Sequence, residues 1–233
     1  MAAFSSAQRE AGTFQMEMVI ESEGLEFDAT GATRYPDSGE APELNMTINL
    51  PPEQGGEIEM VVIDETAYLR LPPDAGLPTP WLKIQSDGSD PVSAQMAPLI
   101  DQMTSSTDFE QHFETFDAAS SIEQGDADVI DGVDVTEYVV TVDVSKMPAD
   151  ALGGVAPEDV PFDEVTYSLW VDGDDLVRRI NSDLAGYGTT DVTIFGYGEP
   201  VEIEVPPADQ VTRREHASVT PPLEQRHVTV GND

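Results

Sequence analysis

The sequence predicts an α+β fold built on a curled antiparallel sheet of about ten or eleven strands, shaped as a half-barrel. Three observations lead to this prediction. Apolar and polar residues alternate with a period of two along most of the chain, short turn sequences separate the alternating segments, and one central stretch changes to a helical period. We expect an N-terminal helix and about two or three short central helices to cover the sheet and enclose an apolar cavity.

The N-terminal part of the chain predicts a short helix over residues 2–12, followed by strands with one apolar face each. The stretch 13–31, TFQMEMVIESEGLEFDATG, alternates, turns at Glu23-Gly24 and resumes the alternation. Short connections such as Asp64-Glu65 favour consecutive antiparallel pairing. The apolar positions of these strands are Met16, Met18, Ile20, Leu25, Phe27, Leu44, Met46, Ile48, Leu50, Ile58, Met60, Val62 and Leu69.

The central stretch 90–116 predicts two short amphipathic helices, because its apolar residues recur at spacings of three and four. Asp90-Pro91 is a good N-cap with proline in the first turn, and Pro98 predicts a kink or a break. Ser106 or Thr107 can cap the second helix. The apolar positions are Met96, Leu99, Ile100, Met103, Phe109, Phe113 and Phe116.

Strands return in the second half of the chain, with hairpin turns predicted at Asp131-Gly132 and Asp172-Gly173. Segments 189–198 and 200–207 supply the last predicted strands. The apolar parity of the two hairpins includes Tyr138, Val140, Tyr167 and Leu169.

The domain organisation follows from the extent of this periodicity. No change of composition divides the alternating region, and no repeat of 20 to 50 residues is convincing. We therefore expect a single domain over residues 1–211. Residues 212–233 are polar, show no sustained period, and are expected to form a flexible tail.

The charge excludes one class of function. The chain has 46 acidic and 10 basic residues, a formal net charge of −36 that is spread along the sequence. Such a surface repels nucleic acid, and we expect it chiefly to keep the protein in solution. There is no cysteine and no apolar run of the roughly 18 residues that a membrane-spanning helix needs.

Catalytic and cofactor motifs are not apparent. His112 is the only histidine in the predicted domain, and its position beside the apolar stripe favours a structural role. No G-x-S-x-G motif and no glycine-rich phosphate loop occur. Residues 126–137 resemble a calcium loop, but Ile130 replaces a ligand and the glycine is one place late, so a hairpin is the better interpretation. We expect no enzyme activity, no cofactor and no metal site.

The methionines suggest a different kind of site. Methionine on an apolar face is often ordinary core, but unbranched thioether side chains also adapt to variable apolar shapes. A curled sheet lined in this way and covered by helices describes a lipophilic cavity. The predicted lining is Met16, Met18, Ile20, Leu25, Phe27, Met46, Ile48, Met60, Val62, Leu69, Met96, Leu99, Met103, Phe113, Tyr138, Val140, Tyr167 and Leu169. The rare cations Arg34, Arg70, Lys83, Arg178 and Arg179 are candidates to meet an anionic headgroup.

The order of these elements resembles a known family. A short N-terminal helix, TFQMEMVIE, the hairpin at DETAYLRL leading to PWLKI, a central helical pair, IDGVDVTEYVVTVDV and EVTYSLWVDGDDLVRRI follow one another. Together they resemble actinobacterial cell-envelope lipoproteins of the LppX/LprG/LprF type, which are similar in fold to the LolA/LolB lipoprotein carriers. The resemblance covers roughly residues 3 to 211.

The resemblance implies a half-barrel whose cavity holds the acyl chains of lipids or glycolipids, carried or presented in the cell envelope without catalysis. It also implies an extracytoplasmic protein anchored to the outer face of the cell membrane through a lipidated cysteine. We expect that cysteine and a signal peptide to precede this segment, with Met1 added, and the protein to be monomeric. The alternative is a sensor or chaperone-like module that binds a lipoprotein or partner peptide in the same groove.

Overall fold

The computed structural model describes residues 2–22, 25–36, 41–51, 56–64, 66–73, 76–85, 116, 119–147, 156–184 and 188–212. Within these residues the chain forms one α-helix, α1 (Ala2–Ala11), and one sheet. The strands of its first half are β1 (Thr13–Ser22), β2 (Leu25–Arg34), β3 (Glu43–Asn49), β4 (Glu57–Ile63), β5 (Thr66–Arg70) and β6 (Trp81–Gln85). Those of its second half are β7 (Ala119–Ile130), β8 (Val133–Asp143), β9 (Glu164–Asp172), β10 (Val177–Asp183), β11 (Gly188–Phe195) and β12 (Val211–Thr212).

The sheet is two meanders joined side by side. Its order is β12-β6-β5-β4-β3-β2-β1-β11-β10-β9-β8-β7, so strands close in sequence pair as predicted within each half. The antiparallel pairing of β1 with β11 joins the halves, and β12 adds to β6 in parallel. This large and mostly antiparallel sheet fits a half-barrel. No helix in the described ranges is long and apolar enough to span a membrane.

The β7–β8 hairpin confirms the predicted turn. Only two residues connect these strands, Asp131 with φ 52° and Gly132 with φ 82°. Both angles lie in the left-handed region that a type I′ turn requires, which Asp-Gly adopts readily. Residues 126–137 are therefore a hairpin and not a calcium loop.

The β9–β10 turn is longer than the predicted Asp172-Gly173 pair. The carboxylate of Asp172 accepts hydrogen bonds from the backbone N–H groups of Asp174 and Leu176, at 2.9 and 3.0 Å. This side chain organises a four-residue turn, and Asp175 takes the left-handed conformation within it, with φ 62°. The aspartate favours the wider loop because its carboxylate accepts hydrogen bonds from these two backbone N–H groups. In a tight two-residue turn, backbone groups next to the turn would instead pair across the two strands.

Two predictions about secondary structure need correction or lie outside the description. The predicted strand 200–207 is wrong, because the segment extends over the sheet without pairing and Pro206 and Pro207 cannot donate to a ladder. The predicted central helices fall on residues 90–116, of which only Phe116 lies within the described ranges. The predicted N-terminal helix is confirmed as α1.

The sheet buries apolar side chains on both faces, but unequally. We call the side that carries Phe14, Met16 and Leu169 the inner face; its buried residues form one cluster that spans β1–β6 and β8–β11. The opposite outer face carries a small cluster around Tyr68 and Trp81, covered by Ile203 of the C-terminal segment. The larger cluster makes the inner face the candidate for function.

Candidate functional site

The strand registers place the predicted lining residues of the described strands on the inner face. Met16 lies opposite Gly31 on β2, Gly31 lies opposite Met46 on β3, and Met46 lies opposite Met60 on β4. The same parity continues in both directions, because side chains alternate between the two faces of every strand. The residues that share this face are Met16, Met18, Ile20, Phe27, Met46, Ile48, Met60, Val62, Leu69, Tyr138, Val140, Tyr167 and Leu169.

These residues are not equally covered. One group is buried: Met16, Met46, Met60, Val62, Leu69, Val140, Tyr167 and Leu169. A second group is half-buried: Met18, Ile20, Phe27, Ile48 and Tyr138. The half-buried residues of β1, β2 and β3 lie toward the end where β1 finishes at Ser22, so the inner face is less covered there.

Four predicted lining residues, Met96, Leu99, Met103 and Phe113, lie outside the described residues, and so does the side chain of Leu25. The assignment of the whole set to a cavity therefore stays a prediction.

A row of small side chains runs along β2 on the inner face. Ala29, Gly31 and Thr33 occupy successive inward positions, and larger residues flank them on both neighbouring strands. The flanking residues are Met16 and Met18 on β1 and Met46 and Ile48 on β3. We call this row of small inward residues the β2 trough.

Helix α1 lies across the inner face. At its start the ring of Phe4 lies 6.0 Å from the ring of Tyr138 on β8. At its end the carbonyl of Gly12 accepts a hydrogen bond of 2.7 Å from the N–H of Tyr35, directly after β2. The helix therefore crosses from the β1–β2 side toward β8, over the intervening β11, β10 and β9.

Tyr167 is one of the large buried residues of the inner face. Its ring meets Phe116 in an edge-on contact with centroids 5.1 Å apart. Burial raises the pKa of the Tyr167 phenol because the phenolate would lose its hydration.

Three of the rare cations, Arg34, Arg70 and Arg179, lie on the outer face and are ion-paired there. Lys83 also lies on the outer face, opposite Tyr68, and Arg178 lies at an irregularity in the β9–β10 pairing, where it is ion-paired with Asp172. Arg34 pairs with Glu43 and Arg70 with Glu59, on neighbouring strands. Arg179 donates to Asp191 at 2.6 Å, and its guanidinium also lies over the ring of Trp170. These arginines face away from the predicted lining, because in each strand they alternate with inward residues.

An open depression of about 640 Å³ lies on the outer face, and its charged lining does not suit apolar ligands. Its lining residues are Asp143, Phe162, Asp163, Glu164, Thr166 and Asp183, none of them a predicted lining residue. Four carboxylates make it strongly anionic. The described residues contain no group of three or more metal-ligating side chains placed to hold an ion.

The burial of two polar side chains was not predicted from the sequence. Gln8 on α1 and Thr33 on β2 are both buried on the apolar side of their elements. The signal for Gln8 was its helical spacing of four from Phe4, and the signal for Thr33 was its parity with Phe27 and Ala29.

Comparison with solved structures finds two mycobacterial proteins with a similar fold. The crystal structure of the Mycobacterium tuberculosis lipoprotein LppX matches with a TM-score of 0.54 and 15% identity, over 87% of this chain and 98% of LppX. The chain shares its fold with LppX. LprF from Mycobacterium bovis matches with a TM-score of 0.50 and 14% identity, over 88% of this chain and 95% of LprF. The predicted resemblance to LppX and LprF is thereby confirmed for the fold.

Sequence comparison adds nothing to this. No family model matches the chain, and no curated protein matches it.

Proposed function

We propose that this chain is a non-enzymatic lipid-binding protein of the cell envelope, which holds the acyl chains of lipids or glycolipids against the inner face and carries or presents them. The observation that carries the proposal is the continuous apolar inner face with the β2 trough, bordered by methionines and crossed by α1. The fold likeness to the lipoprotein LppX supports an extracytoplasmic protein tethered to the membrane by a lipid anchor.

The energetics of such a carrier are balanced. Burial of a methylene group is worth about 0.8 kcal/mol relative to water, so a C16 chain gains about 12 kcal/mol on leaving water. The same chain gains almost nothing on leaving a bilayer for an apolar protein surface. A carrier therefore needs a surface about as favourable as a membrane, and adaptable methionine side chains provide this for chains of different shape.

The proposal is tested by the lipid content of the purified protein. Protein expressed in a lipid-containing host and purified without detergent is extracted, and the extract is analysed by mass spectrometry. We expect acyl lipids at a fixed ratio to protein. Absence of acyl lipid, together with no competition by any acyl probe for a bound fluorophore, would refute the carrier function.

A matched pair of variants locates the lipid. Ala29→Phe fills the β2 trough on the inner face, whereas Thr30→Phe adds the same ring to the exposed outer face of the same strand. We expect the first variant to lose most of its lipid and the second to keep it. A peptide in the extract, displaced by Ala29→Phe in place of lipid, would favour the alternative module that binds a lipoprotein or partner peptide.

A further inference from the structure

Two hydroxyl side chains lie opposite each other on the inner face, near its less covered end. Ser182 on β10 pairs directly with Thr190 on β11. Side chains in such positions have Cβ atoms about 5 Å apart, close enough for both hydroxyls to bind one group. Both share the parity of the inner face, because Thr190 lies opposite Ile20 and Ser182 lies opposite Tyr167. Both are half-buried, so a ligand on this face can reach them. We call Ser182 and Thr190 the hydroxyl pair.

The hydroxyl pair lies at a boundary in the cover of the inner face. On one side Tyr167 is buried, and its ring contacts that of Phe116 with centroids 5.1 Å apart. On the other side Ile20 and Phe27, which lie opposite each other, are only half-buried. The polar end of a lipid is most stable where this cover ends, because burial of polar groups away from water is costly. The hydroxyl pair is therefore placed to receive the group that links an acyl chain to its headgroup.

A row of carboxylates runs beside the hydroxyl pair. One residue closer to the strand ends, Glu26 on β2 lies opposite Glu21 on β1, and Glu21 lies opposite Thr189 on β11. Thr189 in turn lies opposite Asp183, the residue after Ser182. All three carboxylates belong to exposed residues. A headgroup that extends from the hydroxyl pair toward solvent therefore lies beside a row of negative charge.

The basic residues lie elsewhere. Every lysine and arginine before residue 213 falls in the described ranges, and those of the outer face point away from the hydroxyl pair. Arg178 forms its ion pair where β9 ends, at the opposite end of the sheet. Arg9 lies over the ring of Tyr35 at that same opposite end, 5.3 Å from the centroid. Lys146 follows β8, two strands away from β10, and its Nζ lies 3.2 Å from the carboxylate of Asp143. Within the described residues, a phosphate at the hydroxyl pair would lie beside carboxylates and without a basic partner.

We propose that the hydroxyl pair binds the linkage group of an acyl lipid with an uncharged headgroup, such as a glyceride or a glycolipid, and that the row of carboxylates selects against phosphate-bearing lipids. This inference rests on the proposed function and narrows its ligand. Each hydroxyl offers one donor to an ester or glycosidic oxygen and can accept from a hydroxyl of the headgroup. A phosphate loses affinity by repulsion, and specificity is often obtained from such contacts that are unfavourable to the wrong ligand.

The test compares three probes that share one chain length. Dodecane has no polar atom, 1-lauroylglycerol has an uncharged headgroup, and 1-lauroylglycerol 3-phosphate has an anionic one. Each competes with the fluorophore N-phenyl-1-naphthylamine for the protein, and the inhibition constants are determined at low and at high salt.

Two sets of variants separate the hydroxyls from the charges. Ser182→Ala and Thr190→Val remove the hydroxyls, and Thr193→Val makes the same change on the outer face of β11. Glu21→Lys places a cation in the row of carboxylates, and Glu17→Lys makes the same change of charge one turn of the alternation further from the strand end, at an exposed position of the outer face. Comparison of these two lysine variants removes the difference in water solubility between the probes.

We expect 1-lauroylglycerol to compete about fivefold more weakly with Ser182→Ala and with Thr190→Val, as for one lost hydrogen bond, and dodecane to compete equally with all proteins. With wild type at low salt, the phosphate should compete about tenfold more weakly than 1-lauroylglycerol. Glu21→Lys should improve the phosphate about fivefold over Glu17→Lys at low salt, and the difference should shrink at high salt.

The outcomes separate the inference from the proposed function. Unchanged competition by 1-lauroylglycerol in both hydroxyl variants overturns the inference, as does an equal response of the phosphate to Glu21→Lys and Glu17→Lys. Equal weakening of dodecane in the hydroxyl variants would show a packing effect and overturns it too. If no probe displaces the fluorophore from wild type, the proposed function fails and the inference fails with it.

Discussion

Replacement of Asp172 by asparagine should destabilise the protein strongly, although the change is small in volume. The Asp172 side chain is 2% exposed and ends β9. Its Oδ1 accepts two backbone N–H groups of the turn, and its Oδ2 accepts the Nε–H of Arg178 at 2.7 Å. Asparagine keeps one oxygen for the backbone donors but presents an NH₂ group to the guanidinium.

The magnitude follows from what is lost. Breaking a buried ion pair costs about 3–5 kcal/mol, and the 20% exposure of Arg178 reduces this, because water can partly solvate the abandoned guanidinium. We expect Asp172→Asn to lower the free energy of unfolding by about 2–3 kcal/mol. Asp172→Ala also removes both backbone contacts and should cost about 4–5 kcal/mol.

The guanidinium would also lose its fixed position over a second group. Arg178 lies 5.0 Å from the ring centroid of Tyr197, whose hydroxyl donates to the carbonyl of Val177 at 2.5 Å. The pKa of the Tyr197 phenol is raised, mainly by burial. The Asp172 carboxylate thus ties the β9–β10 turn to the start of the C-terminal segment.

The assay is urea unfolding followed by tryptophan fluorescence, with m-values compared between proteins. Asp174→Asn is the matched control, because Asp174 is exposed in the same turn and its loss relieves the same excess of negative charge. It should stay within about 0.5 kcal/mol of wild type. An effect of Asp172→Asn equal to that of Asp174→Asn would refute the reasoning, as would equal effects of asparagine and alanine at position 172.

Three further outcomes are expected. Ile203→Ala should lower the free energy of unfolding by about 2–5 kcal/mol, because Ile203 is buried on the outer face. Binding of the fluorophore N-phenyl-1-naphthylamine to the inner face should stay unchanged. Loss of fluorophore binding would contradict the separation of the two faces. In the same urea assay, Met60→Leu should lower the free energy of unfolding by less than about 1.5 kcal/mol and Met60→Ala by about 2–5 kcal/mol, because Met60 is fully buried. Equally small losses in both variants would show that the side chain lies on an uncovered surface. Because the pKa of Tyr167 is raised, the folded state keeps a proton that the unfolded state releases near pH 10, and the free energy of unfolding should fall as pH rises above about 10. Tyr167→Phe should make that fall shallower in urea titrations repeated at several pH values. An unchanged slope would argue against the buried phenol.

The sequence was most informative where structure is determined locally. The alternation around Met16 and Met46 fixed which side chains share a face, because a strand has a period of two and a slip by one residue would turn the apolar set outward. The Asp131-Gly132 turn was equally secure, since few other dipeptides adopt its two left-handed conformations readily.

Contacts between residues distant in sequence were harder to predict. The pairing of β1 with β11, which joins the two halves, brings Met16 opposite Ile194, and neither strand alone indicates this partner. The outer cluster was missed although its signal was present: Val61 and Val62 are adjacent and both buried, which indicates a strand covered on two faces. The predicted strand at 200–207 failed because Ile203 packs against that cluster in place of pairing.

The candidate site shows the same division. Parity identified the large inward residues, but the β2 trough depends on Ala29 and Gly31, which sequence reasoning treats as weak strand formers and not as lining. Gln8 was overlooked because its one signal, the helical spacing of four from Phe4, is weak in a short and mostly polar helix. Its burial comes from packing against a sheet that begins five residues later, at Thr13.

The reason for methionine is clearest at Gly31. A Cβ atom built there would lie 3.5 and 3.6 Å from Cγ and Cε of Met16, so the Met16 side chain occupies the space that the glycine leaves. Valine or isoleucine at position 16 is branched at Cβ and stiff at χ1, and could not extend over the neighbouring strand. Methionine has three rotatable side-chain bonds and can either lie over Gly31 or turn away from it. Under the proposed function, a turn of Met16 away from Gly31 exposes the trough to an acyl chain.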